Sequence, residues 1–281
     1  MFNQSESLGE KFIRKGFWLY FFSFISAPIG YILKIIFSYN LTIDELGILY
    51  GVISLVGLLT VYHDLGLTES LNFFLPKYIV KNDWVRVKSL LFYAFIAQVV
   101  SSLIIGSILY FWASWIAINY FHSPAAKWVL EIFSIFFLGM NAFQMTNTFF
   151  GAIQNTKSQK WTEFLRMIGN LVFTIVIWKL GFWTLENYAW AWVIGLALGV
   201  AYSLFTFYKN YFIPYLHPVK AVIEKPLIKQ ITWYAFWVLV AANIGTLLGQ
   251  LDMQIIVYFL GTEKAGYYTN YLSIIGMPYL F

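Results

Sequence analysis

The 281-residue sequence has no cysteine. Disulfides, thiolate metal centres and cysteine nucleophiles are thereby excluded, and the redox compartment stays open. Charge is also scarce. Asp, Glu, Lys and Arg make up 11% of the chain, where a water-soluble domain carries about 25%. Histidine occurs only as His63, His122 and His217, with no His-x-x-x-His pair and no carboxylate at metal-ligand spacing. No acid–base or nucleophilic constellation is visible, so an enzyme is not expected and no cofactor is called for. What is abundant is apolar: 60% of the residues are hydrophobic and the mean hydropathy is +0.69. This is the composition of an all-α integral membrane protein.

A helix needs about 20 apolar residues to cross about 30 Å of hydrocarbon. By that measure eight spans are predicted, near 16–39, 46–65, 89–113, 126–152, 165–183, 188–208, 231–259 and 266–281. The run 16–39 reads as a span and not a cleaved signal, being too long for a signal core and lacking an Ala-x-Ala site. The net charge of +5 does not imply nucleic acid as a partner, because the basic residues alternate with spans. They define topology instead. Lys11, Arg14 and Lys15, then Lys77, Lys81, Arg86 and Lys88, then Lys157, Lys160 and Arg166, then Lys209, Lys220, Lys225 and Lys229 place 14 of 18 on one side. The N-terminus and the even-numbered connections are therefore expected to be cytoplasmic. Trp18, Trp84, Trp161 and Trp233 fall near the inner interface, and Trp112, Trp115, Trp183 and Trp190 near the outer, where indole rings prefer to sit.

A weak repeat organises the chain. At an offset of 219, Tyr39, Leu41, Gly47, Ser54 and Gly57 meet Tyr258, Leu260, Gly266, Ser273 and Gly276. Six spans lie between the copies, an even number, so the two units are expected to run parallel. Residues 1–208 then form a six-helix lobe and 231–281 begin a second lobe. Between them lies a cytoplasmic linker, 209–230, with Pro214, Pro218, Pro226 and four lysines. By the same offset Phe281 falls part-way along a helix, and a C-terminally truncated chain is expected.

The candidate functional residues are polar groups in costly places. An intramembrane charge costs about 2.5–3.5 kcal/mol even on the lenient insertion scale, so Lys34 and Asp252, at matching depths in the two repeats, are expected to face a hydrated cavity. Snorkelling to the headgroups is the competing account for Lys34. Asp252 has too short a stem for it. Asn141 and Gln144, with Thr148, form one polar stripe at helical spacing, and Asn243 and Gln250, with Thr246, form another. Both read either as cavity lining or as interhelical hydrogen bonding. Gly195–Gly199 and Gly245–Gly249 are close-packing pairs. Asp64 and Gly66, at the end of span two, read as a helix cap and breaker or as part of a gate.

Several of these stretches resemble one family. Asp44-Glu45-Leu46-Gly47, Asp64-Leu65-Gly66-Leu67, Gly151-Ala-Ile-Gln154-Asn155, Gln250-Leu-Asp252 and Leu260-Gly-Thr-Glu-Lys-Ala-Gly266-Tyr267-Tyr268 are similar to polysaccharide flippases. These are the O-antigen and capsule exporters of the multidrug/oligosaccharidyl-lipid/polysaccharide exporter superfamily. The resemblance implies two six-helix lobes, alternating access, and a bacterial cytoplasmic (inner) membrane location. It also implies an undecaprenyl-diphosphate-linked oligosaccharide moved from inner to outer leaflet for lipopolysaccharide or capsule biosynthesis. Membrane lipids, a glycan polymerase and glycosyltransferases would be its partners. Two alternatives stand beside it: a drug/cation antiporter of the same superfamily, and a non-transporting scaffold for glycan assembly.

Overall fold

A computed structural model describes residues 8–222 and 224–276. The side chains of Lys11, Arg14, Lys15 and Trp18, and span eight beyond residue 276, lie outside the described residues. Everything regular in the description is helical: α1 (Leu8–Asn40), α2 (Ile43–Asp64), α3 (Leu67–Val80), α4 (Trp84–Phe111), α5 (Ala113–Asn119), α6 (Ala126–Ala152), α7 (Thr156–Leu180), α8 (Leu185–Phe207), α9 (Lys225–Leu260) and α10 (Thr262–Gly276). Six of the described helices, α1, α2, α4, α6, α8 and α9, are long and apolar enough to cross a membrane. Of the other two predicted spans, α7 has the length but carries Lys157, Lys160, Glu163, Arg166 and Lys179, and α10 is described over 15 residues.

Local sequence sets the boundaries. Thr42 and Glu45 form a capping box at the start of α2, the Thr42 hydroxyl accepting from the Glu45 N–H and the Glu45 carboxylate accepting from the Thr42 N–H. Asp83, Asn155 and Thr184 cap α4, α7 and α8 in the simpler way. The second connection is largely a helix and not a loop. Its buried positions Leu67, Ser70, Leu71, Phe74 and Leu75 recur at helical spacing, which makes α3 a short amphipathic helix. Within 209–230, a π-helical stretch (Tyr208–Leu216) prolongs α8, and α9 begins at Lys225 with Pro226 in its first turn. The segment between them is tied to α4. Lys88 Nζ donates to the carbonyls of Leu216 and Val219 at 2.9 and 2.7 Å, and Arg86 pairs with Glu224 at 3.3 Å.

Two apolar cores stack along the bundle. One gathers Phe37, Leu46, Phe121, Phe133, Phe137 and Tyr188 from α1, α2, α6, α8 and their connections. The other gathers Leu71, Leu75, Leu90, Phe149, Phe150 and Leu216, with Ile231 of α9. Between the repeats, α2 and α10 start side by side and run the same way. A Cβ on Gly47 would overlap the Thr262 carbonyl, and one on Gly266 the Ile43 carbonyl. The repeat offset relates Ile43 to Thr262 just as it relates Gly47 to Gly266, so the contact is pseudo-two-fold.

Candidate functional site

Lys34 lies six residues from the Asn40 end of α1, or about 9 Å by helical rise. Its ammonium sits 5.8 Å from the centre of the Tyr50 ring on α2. Beside it is a partly open cavity of about 190 Å³ lined by α1, α2, α7 and α8, and Arg166 of α7 faces the same space together with Asn170 and Trp192. The small residues of α8 bring Arg166 there. Gly195 and Gly199 press so closely on α7 that a Cβ would come within 2.6 Å of the Arg166 carbonyl and 3.0 Å of the Thr162 carbonyl.

The electrostatics of this cavity are one-sided. Neither Lys34 nor Arg166 is in an ion pair among the described residues. Glu163, one turn before Arg166, lies outside the cavity lining and is engaged by Lys160 at 2.9 Å and by Asn147 at 3.2 Å, although its charge also reaches Arg166. The Nε–H of Arg166 and the indole N–H of Trp192 are buried without an acceptor. Two cations and two unsatisfied donors around one cavity, with no carboxylate, are the chemistry of an anion site. The space holds several waters or one phosphate-sized group. Lys34 also borders an open groove of about 440 Å³ between α1 and α10. Its walls carry Tyr31, whose hydroxyl donates to the Ser273 carbonyl at 2.9 Å, and Ser38, which donates to Asn270 at 3.1 Å.

The family model for polysaccharide biosynthesis proteins matches residues 12–281. The chain belongs to that family. It is also 23% identical to an uncharacterized membrane protein of Methanocaldococcus jannaschii, over 94% of this chain and 54% of that relative, so it spans about half the relative's length. No solved structure matches it.

Within this polysaccharide biosynthesis protein the expected site residues do not converge. Asp252 is exposed on α9 and accepts from the Tyr268 hydroxyl of α10; it lines neither space beside Lys34. Asn243 is half-buried and donates to the Leu239 carbonyl of its own helix at 2.8 Å. Gln250 covers Gly57 of α2, and its backbone carbonyl accepts from Ser54 at 3.3 Å. Asn141 is buried and donates to the Gln98 carbonyl and to Ser102 Oγ, both on α4. The Gln144 carbonyl oxygen is buried without a partner. Asp64 accepts from the Thr68 N–H, the Thr68 hydroxyl and the Gln98 side chain. Gly66 turns the chain at φ 71°, against the carbonyl of Ala235. Gly245 and Gly249 have nothing within 4 Å of an added Cβ, unlike Gly195 and Gly199.

Arg166 is the residue that sequence reasoning missed. It counts there among the basic residues of the fourth connection, yet α7 starts at Thr156 and carries Arg166 almost three turns inward. A signal was present: Asn155-Thr156 is a capping pair, and starting the helix there and not near 165 would have moved Arg166 from the first turn of the span to almost three turns inside the helix.

Proposed function

We propose that the protein takes part in moving a lipid-linked oligosaccharide, joined to its polyprenyl carrier through phosphate, across the membrane for cell-surface polysaccharide synthesis. The single observation that carries this reading is the cavity shared by Lys34 and Arg166. Such a substrate is an anion with an oily tail, and the phosphate-bearing head cannot enter hydrocarbon unaided. A cationic pocket inside a helical bundle replaces its hydration with fixed donors. The cavity volume matches the linkage phosphate, and the open groove between α1 and α10 gives a lateral place for larger parts of the substrate. Movement by alternating access needs no bond to be broken, so the protein acts as a transporter and not as an enzyme. The bacterial inner membrane, with the N-terminus inside, is the location this reading requires. A cationic drug would be repelled by the same pocket, which favours the anionic substrate.

The test is surface-polysaccharide output in cells that depend on this gene. Lys34→Ala and Arg166→Ala are each expected to reduce output about tenfold or more, the loss of one charge-assisted contact of about 1.5–3 kcal/mol, at unchanged protein abundance. Lys34→Arg is expected to retain most of it. Unchanged output in both alanine variants would remove the cavity from the transport path.

A further inference from the structure

Away from the Lys34 cavity, at the other end of α2, lies a buried polar cluster that the proposed transport path does not use. His63 is fully buried, with 0% exposure, as is Gln98, and Asn141 is 1% exposed. The His63 ring packs on Phe137 with centroids 5.6 Å apart. Its Nδ1 is 3.0 Å from the Thr60 carbonyl. A carbonyl only accepts, so Nδ1 carries the hydrogen and Nε2 presents a lone pair. That lone pair has no partner, although the Asn141 side chain lies beside it.

The neighbouring amides are oriented by their own bonds. Asn141 Nδ2 donates to the Gln98 carbonyl at 2.7 Å and to Ser102 Oγ at 2.5 Å, leaving Asn141 Oδ1 without a donor. Gln98 Nε2 donates to Asp64 Oδ1 at 2.8 Å, leaving Gln98 Oε1 without a donor as well. Three acceptors in one buried cluster are thus unmatched, each costing about 1–3 kcal/mol. What the cluster lacks is a hydrogen.

We propose that His63 is a proton-binding site, in which a proton taken up at Nε2 is donated to Asn141 Oδ1 and locks the end of α2 onto α6. The proton comes from bulk water, and the half-buried Asp64 next in sequence gives it a way in. Asp64 is also the counter-charge for the imidazolium. Among the described residues, the elements around the cluster bring no other charge to it. From α3 comes Thr68 and from α4 Gln98, Ser101 and Ser102. Phe137 and Asn141 come from α6. The charges of α4 stop at Lys88, those of α6 at Glu131, and α9 has none between Lys229 and Asp252. Glu69 and Lys77 of α3 are exposed. The device stands whether or not the transport reading holds.

The experiment uses the full chain. His122 and His217 are exposed, so His122→Asn and His217→Gln leave His63 as the single histidine, and ¹⁵N-histidine labelling then reports it alone by NMR in lipid bilayers. The Nδ1-protonated neutral ring is expected at pH 8, with conversion to the imidazolium as the pH is lowered towards 5. Asn141→Ala is expected to weaken proton binding about tenfold, a midpoint about one pH unit lower; Asn141→Ser serves if the alanine variant does not fold. A ring that stays neutral to pH 5 in a folded chain would overturn the proposal, as would a midpoint indifferent to Asn141. A signal that follows sodium but not pH would assign the lone pairs to a metal cation and overturn it too.

Discussion

Lys34 and Arg166 share a cavity but are held in it differently. Lys34 is half-buried and reaches an open groove, so part of its hydration survives. Arg166 has its Nε–H sealed from any acceptor, with its guanidinium over the Phe143 ring at 5.4 Å. A half-buried cation with one sealed donor and no ion pair opposes folding unless a ligand compensates, and residues kept at such expense tend to serve function. Arg166→Met, which keeps the length and removes the charge, is therefore expected to hold or raise the melting temperature while polysaccharide output falls. Each kcal/mol recovered should add about 2–4 °C, read by thermal unfolding in detergent. A marked drop in melting temperature would make Arg166 a packing residue. At this scale the sequence was half legible. Lys34 stands in a run of apolar residues, and its cost alone singles it out. Arg166 and His63 sit near helix ends in sequence, where charge is ordinary, and only the tertiary arrangement reveals that they are enclosed.

Among the elements, the contact between α2 and α10 is the most demanding. Gly47 and Gly266 each face the backbone carbonyl of the opposite helix, and backbone cannot step aside as a side chain can. Gly47→Ala or Gly266→Ala is expected to separate the helices and cost about 1–3 kcal/mol, the usual penalty of overpacking, seen as a lower unfolding midpoint. Gly245→Ala and Gly249→Ala meet open space in this chain and should leave the midpoint unchanged or raise it slightly, since Ala is the better helix former. A reversal of that order would mean the α2–α10 contact is not formed as described. The repeat that links Gly47 to Gly266 was legible as five identities in a long apolar chain. That the two copies touch each other, about a pseudo-two-fold axis, was not, because an offset carries no distance. The span count shows the same limit. Hydropathy marks α1, α2, α4, α6, α8 and α9 cleanly, whereas α7 combines an apolar second half with five charged residues and packs Ser158, Thr162, Asn170 and Thr174 inward. The helix α3 was readable from its spacing of buried positions but was obscured by the basic residues around it.

For the molecule as a whole, orientation decides what the cavities can do. Basic residues cluster at the end of the bundle where α2 gives way to α3, α4 begins and α9 begins, and the orientation proposed above, which the positive-inside rule supports, has that end in the cytoplasm. In that orientation Lys34 lies in the outer half of the membrane and His63 in the inner half, so the anion site and the proton site stand in opposite halves of the bundle. The absence of cysteine from these 281 residues makes this directly measurable, since a thiol introduced among them is the only one they hold. Asn82, in the corner between α3 and α4, and His122, between α5 and α6, are both exposed. Both have positive φ, 54° and 53°, so the added strain of cysteine is similar at the two sites and does not bias the comparison. In intact cells a membrane-impermeant maleimide is expected to label His122→Cys and to spare Asn82→Cys, with both labelled once the membrane is opened. The opposite pattern would turn the bundle over, placing Lys34 on the cytoplasmic side and His63 on the outer.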